Sequence, residues 1–175
     1  MDELVASVRE VLSTTPDRWR VLTASVEPSL LGRPPAPGEW SAVDCLQHLL
    51  DTEVGAFAVR VEAFLAGRDF ENFDPDAPGS RPVPGAAPVK MADQLAEARS
   101  RSLTRLATIT EADLDRTARH AELGLVTLRE MLNEWAAHDL MHTVQAERAL
   151  MQPFIAGSGK WRGFFADHDV ATAGS

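Results

Sequence analysis

Apolar residues recur three and four positions apart through four long stretches of this chain, and no stretch alternates apolar with polar residues, a pattern that commits the fold to helices. Leu4, Val5, Val8, Val11 and Leu12 open the first run. Thr15 followed by Pro16 restarts it through Trp19, Leu22 and Val26, so the opening third reads as helix, broken once. The connector GRPPAPGEW, Gly32 to Trp40, holds three prolines that forbid a continuing helix. Ser41 and Asp44 then form a capping-box pattern ahead of Cys45, Leu46, Leu49, Leu50, Val54, Phe57, Val61, Phe64 and Leu65. From Gly67 to Pro88 the chain is rich in Asp, Pro and Gly without period, which predicts an irregular crossover, a spanning loop or a lid.

Met91, Leu95, Ala98, Ser102, Leu103, Leu106 and Ile109 mark the third long helix, and the segment TEADLDRTARHAELGL after it carries turn signals and one short helical turn. Thr127 and Glu130 repeat the capping box, and Leu128, Met131, Leu132, Trp135, Met141, Val144 and Leu150 carry the last helix to Pro153. Beyond it, Trp161, Phe164 and Phe165 are expected to pack back on the bundle. The fold class expected is all-α, a four-helix bundle with one domain over residues 1–166 and a frayed tail over 167–175.

The 175 residues are 45% hydrophobic and 25% charged, with a formal net charge of −9 and no run of Lys and Arg. Such a chain folds compactly and offers nothing to neutralise a phosphate backbone or an anionic membrane, so neither nucleic acid nor membrane is expected as a partner. The first residues, MDELVASVRE, lack the apolar core of a signal peptide, and no stretch is long enough to span a bilayer, which makes the cytoplasm the expected compartment. A single cysteine, Cys45, excludes an internal disulfide and zinc sites built from Cys pairs; any metal must be held by His, Asp or Glu.

Of five histidines, His48, His138 and His142 fall inside the two best helices. His138 and His142, four apart, share one helical face, the geometry by which two imidazoles reach one ion, and His48 is a third ligand candidate from a facing helix. Three neutral imidazoles leave one coordination position open. Spacing alone leaves coordination and ordinary hydrogen bonding equally open for the pair. Glu134 and Gln145 share the face of His138 and His142 and are candidates to orient an imidazole, and Glu134 is also the candidate to orient a nucleophile; Asp44 precedes His48 by one turn but already serves a cap, and Asp139 points some 100° away from His138. His120 and His168 read as structural.

Several other chemistries fail on the residues. HDLMH has the H-E-x-x-H spacing with Asp139 where the general-base Glu belongs and no firm downstream ligand. Di-iron bundles need Glu-x-x-His, whereas Cys45, Trp135 and Asp139 stand three before the three histidines. Gly-rich phosphate loops and a G-x-S-x-G elbow are absent from the sequence. Cys45, one turn from His48, reads as a small buried hydrophobe rather than a nucleophile.

Two segments together carry a family resemblance. PGEWSAVDCLQHLLDTE, Pro37 to Glu53, resembles the first signature of the DinB/YfiT-like superfamily, a Trp-Ser helix start followed by an inward His; GLVTLREMLNEWAAHDLMHTVQ, Gly124 to Gln145, resembles the second, a capped helix with His-x-x-x-His and a following Gln. The resemblance implies a four-helix bundle with a long crossover between the second and third helices, commonly a homodimer, that binds nickel or zinc through His48, His138 and His142. It also implies either an enzyme that joins a low-molecular-weight thiol to a small electrophile, as an S-transferase or isomerase, or a protein without a reaction. A metal-dependent hydrolase and a non-catalytic stress-response binding protein with a structural metal stand beside the thiol enzyme as expectations.

Overall fold

The computed structural model describes residues 2–70, 73, 74 and 87–170. Helix α1 spans Glu3–Ser25, capped by Asp2, whose side chain accepts from the Leu4 N–H at 2.8 Å. It runs through Pro16 without the break that the proline suggests. A proline inside a helix leaves the carbonyl four residues back without its N–H donor. Here that carbonyl belongs to Leu12, and Arg99 supplies the missing donor from another helix, Nη1 to O at 2.8 Å. The polar group exposed by Pro16 is thus satisfied across the core, and burial of Thr15, Pro16 and Trp19 holds the turn in place.

After a single turn, α2 (Pro28–Leu31), the connector bends at Gly38, whose φ of 86° is open to glycine, and delivers Trp40 and Ser41 to the next helix. The predicted capping box is present: Ser41 Oγ accepts from the Asp44 N–H at 3.2 Å while Asp44 Oδ2 accepts from the Ser41 N–H at 2.8 Å. Helix α3 (Ala42–Thr52) passes through one wide π turn, Glu53–Phe57, into α4 (Ala58–Ala66). The extra residue shifts the register of the inward stripe. Glu53 therefore sits in the core at 1% exposure, and Val54, which the spacing assigns to the apolar face, is 56% exposed. Of the crossover, residues 71, 72 and 75–86, and with them the choice between a spanning loop and a lid, lie outside the described residues. Phe73 returns against Gly55, where a Cβ would lie 3.1 Å from its ring.

Helix α5 (Pro88–Leu106) starts on proline at its first position. The start of α3 packs with the start of α5 (Leu46 and Leu49 with Met91 and Leu95), and the π turn and the end of α4 with the end of α5 (Phe57 and Phe64 with Leu106). The two neighbours are therefore parallel, which is why a crossover as long as the bundle has to join them. Helix α6 (Leu128–Gly157), capped by the predicted Thr127–Glu130 box, packs against both α1 and α3 and closes the four-helix bundle.

Between α5 and α6 the expected helical turn is present at Glu111–Asp113, but a small antiparallel hairpin follows it: β1 (Thr117–His120) and β2 (Gly124–Thr127), with Ala118 opposite Val126. Four residues per strand, of which Ala118 alone is buried, are too few to show as alternation in sequence.

The C-terminal segment differs from expectation in three ways. Helix α6 continues past Pro153 to Gly157; Trp161 and Phe164, on the tight turn Gly159–Phe165, are exposed at 68% and 82% instead of packed. Of the tail expected to fray, residues 171–175 lie outside the described residues and residues 167–170 are held in place. Polar contacts dock them: Arg162 Nε donates to the buried Asp169 at 2.6 Å, the Val170 N–H to Gln152 Oε1 at 3.1 Å, and Gln152 Nε2 to the His168 carbonyl at 2.9 Å.

The apolar core is split. One cluster joins Val5, Val8, Leu12, Phe57, Leu106 and Trp135, the other Trp19, Leu46, Leu49, Leu95 and Ala146. Between them, at mid-height, lies a layer of buried polar residues that includes Thr52, Glu53, Arg99, Asp139 and Thr143.

Candidate metal centre

Helix α3 supplies His48 and α6 supplies His138 and His142, and the three rings converge. His48 and His142 are buried at 8% and 6% exposure and His138 is half-buried. Their ring centroids lie 4.4 to 5.0 Å apart, and one nitrogen from each lies within 4.8 Å of the other two. His48 Nε2 and His138 Nε2 are 3.0 Å apart. The faces of α3 and α6 that meet here thus bring together all three histidines singled out by sequence.

The surroundings fix their orientation. His142 Nδ1 lies 2.8 Å from Gln145 Oε1, one turn along α6; a carbonyl oxygen accepts only, so Nδ1 carries the proton and Nε2 keeps its lone pair. Gln145, a candidate from spacing, is therefore the residue that sets the tautomer. Trp40 stacks on His142 with centroids 5.6 Å apart at 20° and leans on His48 at 4.9 Å, while Phe57 stands at 70° to His138. An aromatic wall thus bounds the cluster on two sides.

Burial pushes the His138 pKa down to about 3, with the neighbouring His142, His48, Arg99 and Arg60 pushing the same way. Burial also lowers that of His142, against the opposing pull of Gln145 and Asp139. Both rings are neutral at neutral pH, the form in which imidazole ligates a metal. His138 Nδ1 is buried without a partner, so the cluster is not built to complete its own hydrogen bonding. An ion about 2.0–2.1 Å from tetrahedral imidazole nitrogens holds them roughly 3.3 Å apart, a spacing bracketed by the 3.0 Å and 4.8 Å found here. The donor set and its spacing fit one divalent ion.

A model of the DinB superfamily matches residues 12–146. The chain belongs to the DinB superfamily. In structure it is similar to YfiT from Bacillus subtilis, described as a probable metal-dependent hydrolase with an unusual four-helix bundle topology: the TM-score is 0.75 at 20% identity, over 88% of this chain and 89% of that one. No curated protein matches the chain.

The remaining candidates of this DinB-superfamily chain have other positions. Asp139, adjacent to His138, faces away into a bidentate pair with Arg99, Oδ2 to Nη1 at 2.7 Å and Oδ1 to Nη2 at 3.0 Å. A carboxylate so engaged is no general base. Glu134, one turn before His138, is exposed; partial desolvation raises its pKa while nearby Arg60 pulls it down, and no hydrogen bond joins it to the imidazoles. Asp51, three residues after His48, was not foreseen: Gln47 donates to its Oδ1 at 2.8 Å, its Oδ2 is buried without a partner, and desolvation raises its pKa. Cys45 is fully buried and its thiol is pushed up to about 12, mainly by burial, which removes it as a nucleophile. His120 closes the hairpin turn, its Nδ1 accepting from the N–H groups of Glu122 and Leu123 at 3.2 and 3.3 Å, and the His168 carbonyl accepts from Arg148 and Gln152.

Among the described residues, no helix is long and apolar enough to cross a membrane.

Proposed function

We propose that the chain is a metalloenzyme that holds one divalent ion, nickel or zinc, through His48, His138 and His142 and activates a small nucleophile beside it. The observation that carries this reading is the convergence of three imidazoles on one point, with the His142 tautomer set by Gln145. When bound, the ion supplies Lewis acidity that lowers the pKa of a nucleophile in the position left open by three ligands. Trp40 and Phe57 restrict water and hold the rings. Glu134 takes the proton of the nucleophile or orients it, for which its raised pKa suits it.

Two nucleophiles compete. Water, giving a hydrolase, is favoured by the likeness to YfiT, a probable metal-dependent hydrolase. A low-molecular-weight thiol transferred to a small electrophile is favoured by the signatures around His48 and His138. Metal analysis after purification without chelator tests the site itself: near one equivalent is expected, falling below about half in His142→Ala, and equal content in the two proteins defeats the reading. Panels of esters and amides, and of electrophiles with thiols, then decide between the nucleophiles. Metal-loaded protein with no turnover in either panel would make the ion structural and the protein a binding protein; turnover unchanged in Glu134→Gln would remove Glu134 from the reaction.

A further inference from the structure

A cavity lies apart from the histidine cluster, beside the buried Glu53. It measures 340 Å³, in the lower part of the roughly 300–1,000 Å³ typical of small-molecule sites, and opens between the π turn with α4 and the later half of α5. Val54, Ala58, Val61, Ala98 and Leu106 give it apolar walls. Of the polar residues that line it, Glu53 and Trp135 are each 1% exposed; Glu62, Arg101, Ser102 and Arg105 complete the lining.

Glu53 and Trp135 each hold a buried polar atom without a hydrogen-bond partner. Arg99 Nε and Nη2 meet Glu53 at Oε2, at 3.0 and 2.9 Å, which leaves Oε1 bare. Trp135 stacks flat on Phe57, centroids 4.9 Å apart at 6°, and its Nε1–H has no acceptor. A lone acceptor and a lone donor on residues that line one pocket are each costly to leave unmade. They are also a complementary pair.

The hydrogen-bonding roles of the pair decide what it takes. The charges that line the cavity are balanced, Glu53 and Glu62 against Arg101 and Arg105, with Arg105 paired to Glu62, and a cationic ligand offers no acceptor to the Trp135 N–H. An anion meets the bare oxygen of Glu53. A neutral group with donor and acceptor on separate atoms satisfies both residues, and a carboxamide is such a group: its N–H donates to Glu53 Oε1 and its oxygen accepts from Trp135 Nε1.

We infer that this cavity is a binding site for a small, mainly apolar molecule carrying a neutral carboxamide, read by Glu53 and Trp135. It does not rest on the metal reading, because no metal candidate lines it.

Benzamide is the probe. The chain has four tryptophans, so the Trp135 indole N–H is one of four signals in a nitrogen–proton NMR spectrum, assigned by its loss in Trp135→Phe. Titration of the whole chain with benzamide is expected to move that signal saturably, with toluene binding at least tenfold more weakly. Trp135→Phe keeps the ring and removes the donor, and is expected to weaken benzamide at least fivefold; Ala58→Leu narrows the cavity and is expected to abolish binding even if the first variant is poorly folded. No saturable shift, equal affinity for toluene, or a crystal grown with benzamide in which ordered water alone occupies Glu53 Oε1 and Trp135 Nε1 would overturn the inference.

Discussion

Adjacent residues on α6, His138 and Asp139, enter two buried polar clusters of opposite character. The Asp139 cluster is centred on Arg99, whose guanidinium donates four hydrogen bonds, one to the Leu12 carbonyl, two to Asp139 and one to Glu53, with Nη2 also 2.9 Å from Glu53 Oε2 in the ion pair. The histidine cluster does the reverse. It aims nitrogens at one another and leaves His138 Nδ1 without a partner. The first arrangement holds its own cation between two carboxylates, with Glu53 Oε1 left bare, and reads as structure. The second is incomplete without something at its centre, and that asymmetry, more than burial or polarity, separates a buried site from a buried strut.

The contrast is tested most severely at Arg99. Replacing it by Met leaves Glu53 and Asp139 buried with no counter-charge, and breaking a buried network in this way costs about 3–5 kcal/mol. Urea unfolding should show a loss of that order; one below about 1 kcal/mol would mean that the guanidinium does not hold the bundle together. His142→Ala in chelator should lose much less. Its effect should emerge on adding metal: an ion at 100 times its dissociation constant stabilises the wild-type chain by about 2.7 kcal/mol. The variant should gain little, and an equal rise in Tm for both proteins would disconnect the cluster from the metal.

Acid should also separate the two clusters. In metal-free protein the folded His138 stays neutral down to about 3, whereas in the unfolded chain it takes a proton below roughly 6.5. Between those values unfolding binds protons, so stability falls as pH falls, by at most about 1.4 kcal/mol per pH unit per proton, and the loss is absent above 6.5. Urea unfolding in chelator at pH 5 and pH 7 should show this slope, reduced in His138→Gln. The same slope in the variant would assign it to other groups.

How much of this was legible in the sequence follows from the range of each interaction. The boxes Ser41–Asp44 and Thr127–Glu130 close within one turn, so the residues that form them also announce them. His138 and His142 are legible for the same reason, and His48 joins them because it lies on the inward edge of its own helix. The Arg99 cluster left a weaker trace: Glu53 falls four residues from both Leu49 and Phe57, Arg99 four from Leu95, and Asp139 four from Trp135, a charge on each of three apolar stripes. Reading it requires pairing stripes from different helices, which periodicity along one helix does not supply. The π turn hides further because it depends on tertiary packing, and it moves Glu53 inward in place of Val54. In the later half of α6 the inward positions go to Asp139, His142, Thr143, Ala146 and Ala149, while Met141 and Val144, chosen for their hydrophobicity, are 55% and 56% exposed. Hydrophobicity misleads where a helix faces a polar layer.

The smallest effect expected concerns Pro16, and it asks whether the Arg99 cluster is built partly on backbone. Proline inside a helix is about 3 kcal/mol less favourable than alanine, so Pro16→Ala in an ordinary helix would stabilise strongly. Here Leu12, whose carbonyl Pro16 frees, is already bonded to Arg99 at 2.8 Å, and the buried proline ring packs in the core. Both remove much of the gain, and the net change should stay within about 1 kcal/mol. With Arg99 replaced by Met, the Leu12 carbonyl loses its donor, and an N–H restored at position 16 becomes its substitute; Pro16→Ala should then stabilise by about 1 kcal/mol more than it does in the wild-type chain. A double-mutant cycle by urea unfolding measures that difference. Strict additivity would show that the guanidinium does not depend on the carbonyl freed by the proline, and would leave Asp139 and Glu53 alone to hold it.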